Sequence, residues 1–210
     1  LDRDLPMQSF VNRGIISSSG VRIRSTELQN SGTLSAGSGS IALTAAQAKL
    51  DGGTLSASGD VRLLTKELKA RTANITGSAL YVTATNRLTD GGPLPVAEQS
   101  LWNCSGGFNL PTLPEEADLR GTHIKLSAPR FASIPNSWAG KDLGASATGF
   151  SNNAALGGLT LDGAQFSQFV IKGTGASNAL YVDHLELLNS ATNYASSLSL
   201  GTNMTLYFAS

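Results

Sequence analysis

The sequence has 210 residues, of which only 14% are charged, and its 15 basic side chains are balanced by 15 acidic ones. Such a chain carries no electrostatic footprint for nucleic acid or an anionic membrane, so neither is expected as a partner. The 40% of hydrophobic residues fall in short runs, well below the roughly 20 consecutive apolar residues of a membrane-spanning helix, and a soluble chain without a transmembrane segment is expected.

Gly outnumbers Pro by 23 to 7, and Ser, Thr, Ala and Asn crowd the chain while Glu and Lys are sparse. That balance favours many short strands joined by turns over helices. The single cysteine, Cys104, cannot close a disulfide within the chain, so packing and backbone hydrogen bonds must hold the fold. The chain opens at Leu1 without a basic and apolar leader, and is expected to be a piece of something longer.

From the N-terminal end, four segments superimpose with few gaps: GIISSSGVRIRSTEL from Gly14, GTLSAGSGSIALTAAQA from Gly32, GTLSASGDVRLLTKEL from Gly53 and ANITGSALYVTATNRL from Ala73. Val21, Ile41, Val61 and Leu80 fall in one column, and Ile23, Leu43, Leu63 and Val82 in a second. Leu28, Ala48, Leu68 and Leu88 make a third, and Ile16, Leu34, Leu55 and Ile75 a fourth. The period is about 20 residues, a length at which one unit cannot close a core alone and must stack on its neighbours.

Around these columns apolar and polar residues alternate, as in Val21-Arg22-Ile23-Arg24, the signature of a half-buried strand. Stacking at equal period makes the strands parallel, with each turn about 4.8 Å above the last. Asn30-Ser31-Gly32, Asp51-Gly52-Gly53 and Asp90-Gly91-Gly92 supply the corners. Glu27, Gln47, Glu67 and Arg87 share an outward phase, which makes Glu67 and Arg87 neighbours of opposite charge on adjacent turns. A globular antiparallel sandwich would also alternate, but would not need like columns at fixed spacing.

The units NSGTLSAGSGSIALTA and DGGTLSASGDVRLLTKEL resemble the repeats of filamentous-haemagglutinin-type secreted adhesins, over roughly residues 10 to 92. The resemblance implies a parallel β-helix, an extracellular or bacterial cell-surface location and no particular activity. Right-handedness follows from the bias of parallel crossovers.

After Asp90 the pattern lapses. Pro93, Pro95, Pro111 and Pro114 are too many for an interior strand, so residues 93–118 are expected to form a proline-rich excursion. Alternation returns at Thr122-His123-Ile124-Lys125-Leu126, pauses in an irregular insertion near 128–156 and resumes with Leu159 and Leu161, Leu180 and Val182, and Leu198 and Leu200. Leu185 with Leu187 and Leu206 with Phe208 recur in the same way. The segment from Asn178 to Ser210 is similar to terminal segments of very long bacterial surface proteins. The expected fold is therefore all-β: a parallel β-helix solenoid with rungs over residues 1–92 and looser rungs over 119–210, broken by two irregular excursions.

Chemistry is sparse. Asp51 and Asp90 sit in Asp-Gly-Gly corners whose turn geometry accounts for them. Asp183, His184 and Glu186 form the densest ionisable group, but the change of phase between Val182 and Leu185 puts Asp183 and His184 at a solvated corner. The two histidines, His123 and His184, are too few for a multi-histidine zinc site, and no local signal marks a catalytic triad. Gly173-Thr174-Gly175 lacks the third glycine of a dinucleotide fingerprint. Cys104 reads as a small buried hydrophobe. No catalytic, metal or cofactor site is expected, and the chain is read as a non-enzyme.

Trp102, Phe108 and Trp138 lie in the irregular segments, where rigid rings can form a sugar or protein platform; the favoured alternative is that they cover the side of the solenoid. Phe10, Val11, Leu206 and Phe208 lie in strand-like sequence near the two ends, where open edges could pair with another copy or with flanking segments of a longer chain. The expected function is a structural or adhesive segment of a secreted bacterial surface protein. A head-to-tail filament subunit is one alternative, and a polysaccharide lyase or glycoside hydrolase is another.

Overall fold

The computed structural model describes residues 7–210, and residues 1–6 of the expected first segment lie outside the described residues. The chain winds as a parallel β-helix with two strands to a turn. The regular part comprises β1 (Met7–Asn12), β2 (Ile15–Ser18), β3 (Val21–Asn30), β4 (Thr33–Ala36), β5 (Ile41–Lys49), β6 (Thr54–Ala57), β7 (Val61–Lys69), β8 (Asn74–Gly77) and β9 (Leu80–Thr89). Then follow β10 (Ser100–Cys104), β11 (Phe108–Leu110), β12 (Glu116–Ala128), β13 (Ser133–Trp138), β14 (Leu156–Gly163), β15 (Gln168–Gly173), β16 (Asn178–Asn189), a single helical turn α1 (Tyr194–Ser197), β17 (Leu198–Leu200) and β18 (Met204–Phe208).

Strands pair in parallel with the strand one turn away. Thus β3, β5, β7 and β9 stack in one sheet, and β4, β6, β8 and β10 in another. The long β12 joins both: Glu116–Asp118 pairs with β9, and the rest pairs with β10 and β14. Inside β3 the inward phase runs Val21, Ile23, Ser25 and then slips to Leu28 and Asn30. Two outward residues in succession at Thr26-Glu27 turn the chain, so one strand lines two faces of the core and the next strand a third.

All four expected columns are in register. The fourth continues past Ile75 through Trp102, Ile124, Leu159 and Leu185. The first continues from Leu80 to Phe108. Buried asparagines brace one corner, where Asn12 Nδ2 donates to Asn30 Oδ1 at 2.8 Å and Asn30 Nδ2 donates to the Gly32 carbonyl at 3.1 Å. The corners approach closely: a Cβ on Gly53 would lie 2.1 Å from the Asn30 carbonyl oxygen, which only glycine tolerates.

Two expected boundaries need correction. Residues 93–118 are not one excursion, because β10, β11 and the start of β12 lie in them and keep the stack. Pro93 and Pro95 fall between β9 and β10, and Pro111 and Pro114 between β11 and β12, so the prolines break only corners. The expected insertion near 128–156 likewise contains β13, which pairs with β11 and β15 and leaves 139–155 as the true excursion. Glu67 and Arg87 are in register as expected, but the Arg87 guanidinium bonds Glu116 of the next turn at 2.6 Å.

Candidate functional site

The structure does not place Trp102, Phe108 and Trp138 on a platform. All three are buried, and their rings pack in series inside the solenoid, with centroids 6.0 Å apart for Trp102 and Phe108 and 5.4 Å apart for Phe108 and Trp138. The reason is visible in β10: Ser100, Trp102 and Cys104 take the inward phase while Leu101 points out. These rings fill the core and neither bind at the surface nor cover its side. Both indole N–H groups are buried without a hydrogen-bond partner. Cys104 is buried beside them, and burial pushes its thiol up to about 12, far from a reactive thiolate.

The end residues behave differently. Phe10 stands in the third column opposite Leu28 and packs on the core, whereas Val11 is exposed. At the other end Leu206 pairs opposite Leu180 and packs on the core, while Phe208, opposite Val182, is 58% exposed. Ile16, which belongs to the inward fourth column, is also exposed on the first turn, beside Ile15 at 80%. Both terminal turns of the described residues thus show apolar side chains.

The densest charged region is a cleft of about 700 Å³ at the junction of the regular and irregular halves, lined by Asp90, Asp118, Arg71, Arg87, Glu116 and Arg120 among others. Asp90 is buried in its Asp-Gly-Gly corner, where it accepts the Thr122 hydroxyl at 2.6 Å and the Gly92 N–H at 3.0 Å. Burial nevertheless raises its carboxyl to about 6. Burial also works to raise Asp118, but a two-pronged pair with Arg120, at 3.0 and 2.8 Å, outweighs it and holds that carboxyl low. Two carboxyls pushed apart suggest an acid and base pair. Here Asp118 is locked by Arg120 and Asp90 is fully covered, so neither presents a free oxygen.

On the outer face of β12, β14 and β16 a polar chain crosses three turns. His123 Nε2 lies 2.7 Å from the Thr160 hydroxyl, which donates to Glu186 at 2.8 Å. Because the carboxylate takes the hydroxyl proton, the imidazole donates its N–H to Thr160 and does not activate it as a nucleophile. Burial lowers the His123 pKa. The ring fits because Gly158 lies opposite it; a Cβ there would come within 2.5 Å of His123 Nδ1. Among the described residues no three His, Cys, Asp or Glu side chains group closely enough to hold a metal ion. Asp183 and His184 lie at the bend of β16, and burial raises the Asp183 carboxyl.

Sequence reasoning missed one exposed aromatic feature. At the corner after β12, Phe131 is 67% exposed, and at the equivalent corner after β14, Phe166 is 65% exposed. Their rings stack with centroids 5.3 Å apart and planes 13° from parallel, close to the about 4.8 Å rise between turns. The Arg130 guanidinium lies 4.5 Å from the Phe131 ring centre. Both residues hold left-handed backbone, with φ of 62° and 61°, a conformation that bulky side chains rarely adopt. The signal was present: Ile134 and Phe169 are in register, and three residues before each stands a phenylalanine.

Comparison with protein-family models, with curated proteins and with solved structures gives no match.

Proposed function

We propose that this chain is a structural and adhesive β-helix segment of a secreted bacterial cell-surface protein. The observation that carries the reading is the fourth column, an apolar line unbroken from Ile16 to Leu185 along the stack. Such a column makes a stiff rod, because each turn is fixed by its neighbours, and leaves the corners free to vary and to meet partners. Four of the charges of the junction cleft are held in internal pairs, Arg87 with Glu116 and Arg120 with Asp118, and its buried Asp90 presents no free oxygen, which fits a scaffold better than a lyase or hydrolase. The resemblance of the repeats over roughly residues 10–92 to those of secreted adhesins supports the exported location. Two measurements test this. Antibodies against the chain should label intact producing cells, and beads coated with it should bind to a polysaccharide or cell layer above uncoated beads. Labelling only after lysis, or beads that never adhere, would overturn it.

A filament reading has its own support in the exposed Ile15, Ile16 and Phe208 of the terminal turns. Each turn presents a strand paired on one side only among the described residues, and head-to-tail joining of unlike ends propagates. Electron microscopy of the isolated chain at rising concentration should show filaments that Phe208→Asp abolishes. Monomers at every concentration would sink this reading.

A further inference from the structure

We infer that the corner carrying Phe131 and Phe166 is a binding site for a neutral polysaccharide, with the Phe166 ring as its stacking surface. The inference rests on the adhesive reading and names the ligand class for it. Three observations converge. First, the two rings are exposed and ordered by stacking on each other and under Arg130, so a flat apolar surface is held ready without burial of its own. Second, both phenylalanines keep a left-handed backbone. The stacked corners after β5 and β7 take the same conformation with Gly52, at a φ of 70°, and with Thr72, at 54°. Folding alone would favour glycine or a small side chain at such corners, so two bulky rings there point to a use outside the fold.

Third, a cavity of about 380 Å³ lies against Phe166 and is walled by Gln165, Ser190, Thr192, Asn193 and Ser196. No ionisable side chain lines it. A second hollow of about 620 Å³ shares Gln165 and Ser190 and extends along the same edge, so the groove is long enough for a chain and not only for one ring. Its one ionisable side chain is Asp162, which is neutralised by Lys125 at 2.8 Å.

The chemistry of these groups selects the ligand. An aromatic face takes the carbon-bound hydrogens of a sugar ring, and surrounding amides and hydroxyls pair with sugar hydroxyls in both directions. A uronate or phosphate would find no free cation in the first cavity, and a lipid or apolar peptide would strand its polar walls.

Affinity electrophoresis tests the site. The chain is run through gels holding xyloglucan, galactomannan or mixed-linkage β-glucan, and through gels holding polygalacturonate or alginate. Retardation is expected in at least one neutral gel and in neither acidic gel. Phe166→Gly, which suits the local backbone and should leave circular dichroism and the melting temperature near those of the parent, should weaken it at least tenfold. Asn193→Ala should weaken it less. Free mobility in every neutral gel, retardation only in acidic gels, or unaltered binding by a folded Phe166→Gly variant would each overturn the site. Bead adhesion that survives Phe166→Gly overturns the site but leaves the adhesive reading standing, whereas failure of the parent chain to adhere overturns that reading itself.

Discussion

The turns before Asp90 and those after it use the same strands to opposite effect. From β3 to β9 each turn is nearly constant in length, its core columns are mostly Val, Ile, Leu and Ala, and its corners are short, several of them Gly, Asn or Asp turns and one built on Arg71-Thr72. Beyond β9 the corners lengthen and take in 3₁₀ turns and an excursion at 139–155, the core fills with Trp102, Phe108, Trp138 and Phe169, and Tyr181 points outward beneath the excursion, bonded to Leu143 and Gly144. Yet the fourth column keeps its register past local bulges at 65–67 and 119–123, for Trp102 simply stands where Ile75 stood a turn earlier. In a parallel β-helix the strands fix register and the corners fix length, so the sequence period can vanish while the stack persists. Longer corners are also where this chain places its exposed rings and its grooves.

The largest effect should come from cutting the same column in the two halves. Leu55→Ala removes a buried side chain from the regular half, and a change of this kind costs about 2–5 kcal/mol; Trp102→Ala falls in the range of about 3–5 kcal/mol and leaves the larger void. Trp102 also contacts Phe108, which packs on Trp138, so its loss should loosen the irregular half preferentially. Since a solenoid is coupled mainly through neighbouring turns, urea unfolding of Trp102→Ala should split into two transitions. Trp138 fluorescence should report the earlier one, and Leu55→Ala should show the reverse order. Equal midpoints and single transitions for both variants would show that the halves unfold as one unit.

The junction between the halves is marked by Asp90, whose folded carboxyl titrates at about 6 because it is buried. Its unfolded value is near 3.9, so between these limits the folded state holds a proton that the unfolded state releases. That contribution to stability is complete below about pH 4 and is lost as pH rises through 6, at about 1.4 kcal/mol per unit, or about 3 kcal/mol in all. Asp90→Asn should remove it. The difference in unfolding free energy between the two proteins should therefore grow from pH 4 to pH 7 in favour of the Asn variant. A flat difference would place the Asp90 titration elsewhere.

The regular half was legible because its corners nearly keep their length, which sets Ile16, Leu34, Leu55 and Ile75 at close to equal spacing. The alternation Ser100-Leu101-Trp102-Asn103-Cys104 carried the same signal, but prolines on both sides drew it into an expected loop. The aromatic corner was hidden for a different reason. Phe131 and Phe166 are separated by a turn of irregular length, and whether a ring at a corner points in or out depends on a backbone angle that alternation does not encode. The buried tie between Asp90 and Thr122 was equally out of reach, since it needs the register of β12.

The smallest expected effect sharpens the account of the regular half from inside its core. Ser25, Ala45, Thr65 and Ala84 form a buried column at the bend of the long strands. The hydroxyls of Ser25 and Thr65 have no hydrogen-bond partner there. An unpaired buried hydroxyl costs about 1–3 kcal/mol, while the β-branched shape of Thr fills its place well, so Thr65→Val keeps the volume and removes the penalty. The variant should gain about 1 kcal/mol, read as a melting temperature higher by about 2–4 °C. Ala84→Thr, one turn on, should lose stability by adding a third hydroxyl to the same column. Were Thr65→Val less stable than the parent, the hydroxyl would have to be satisfied by water entering at the bend.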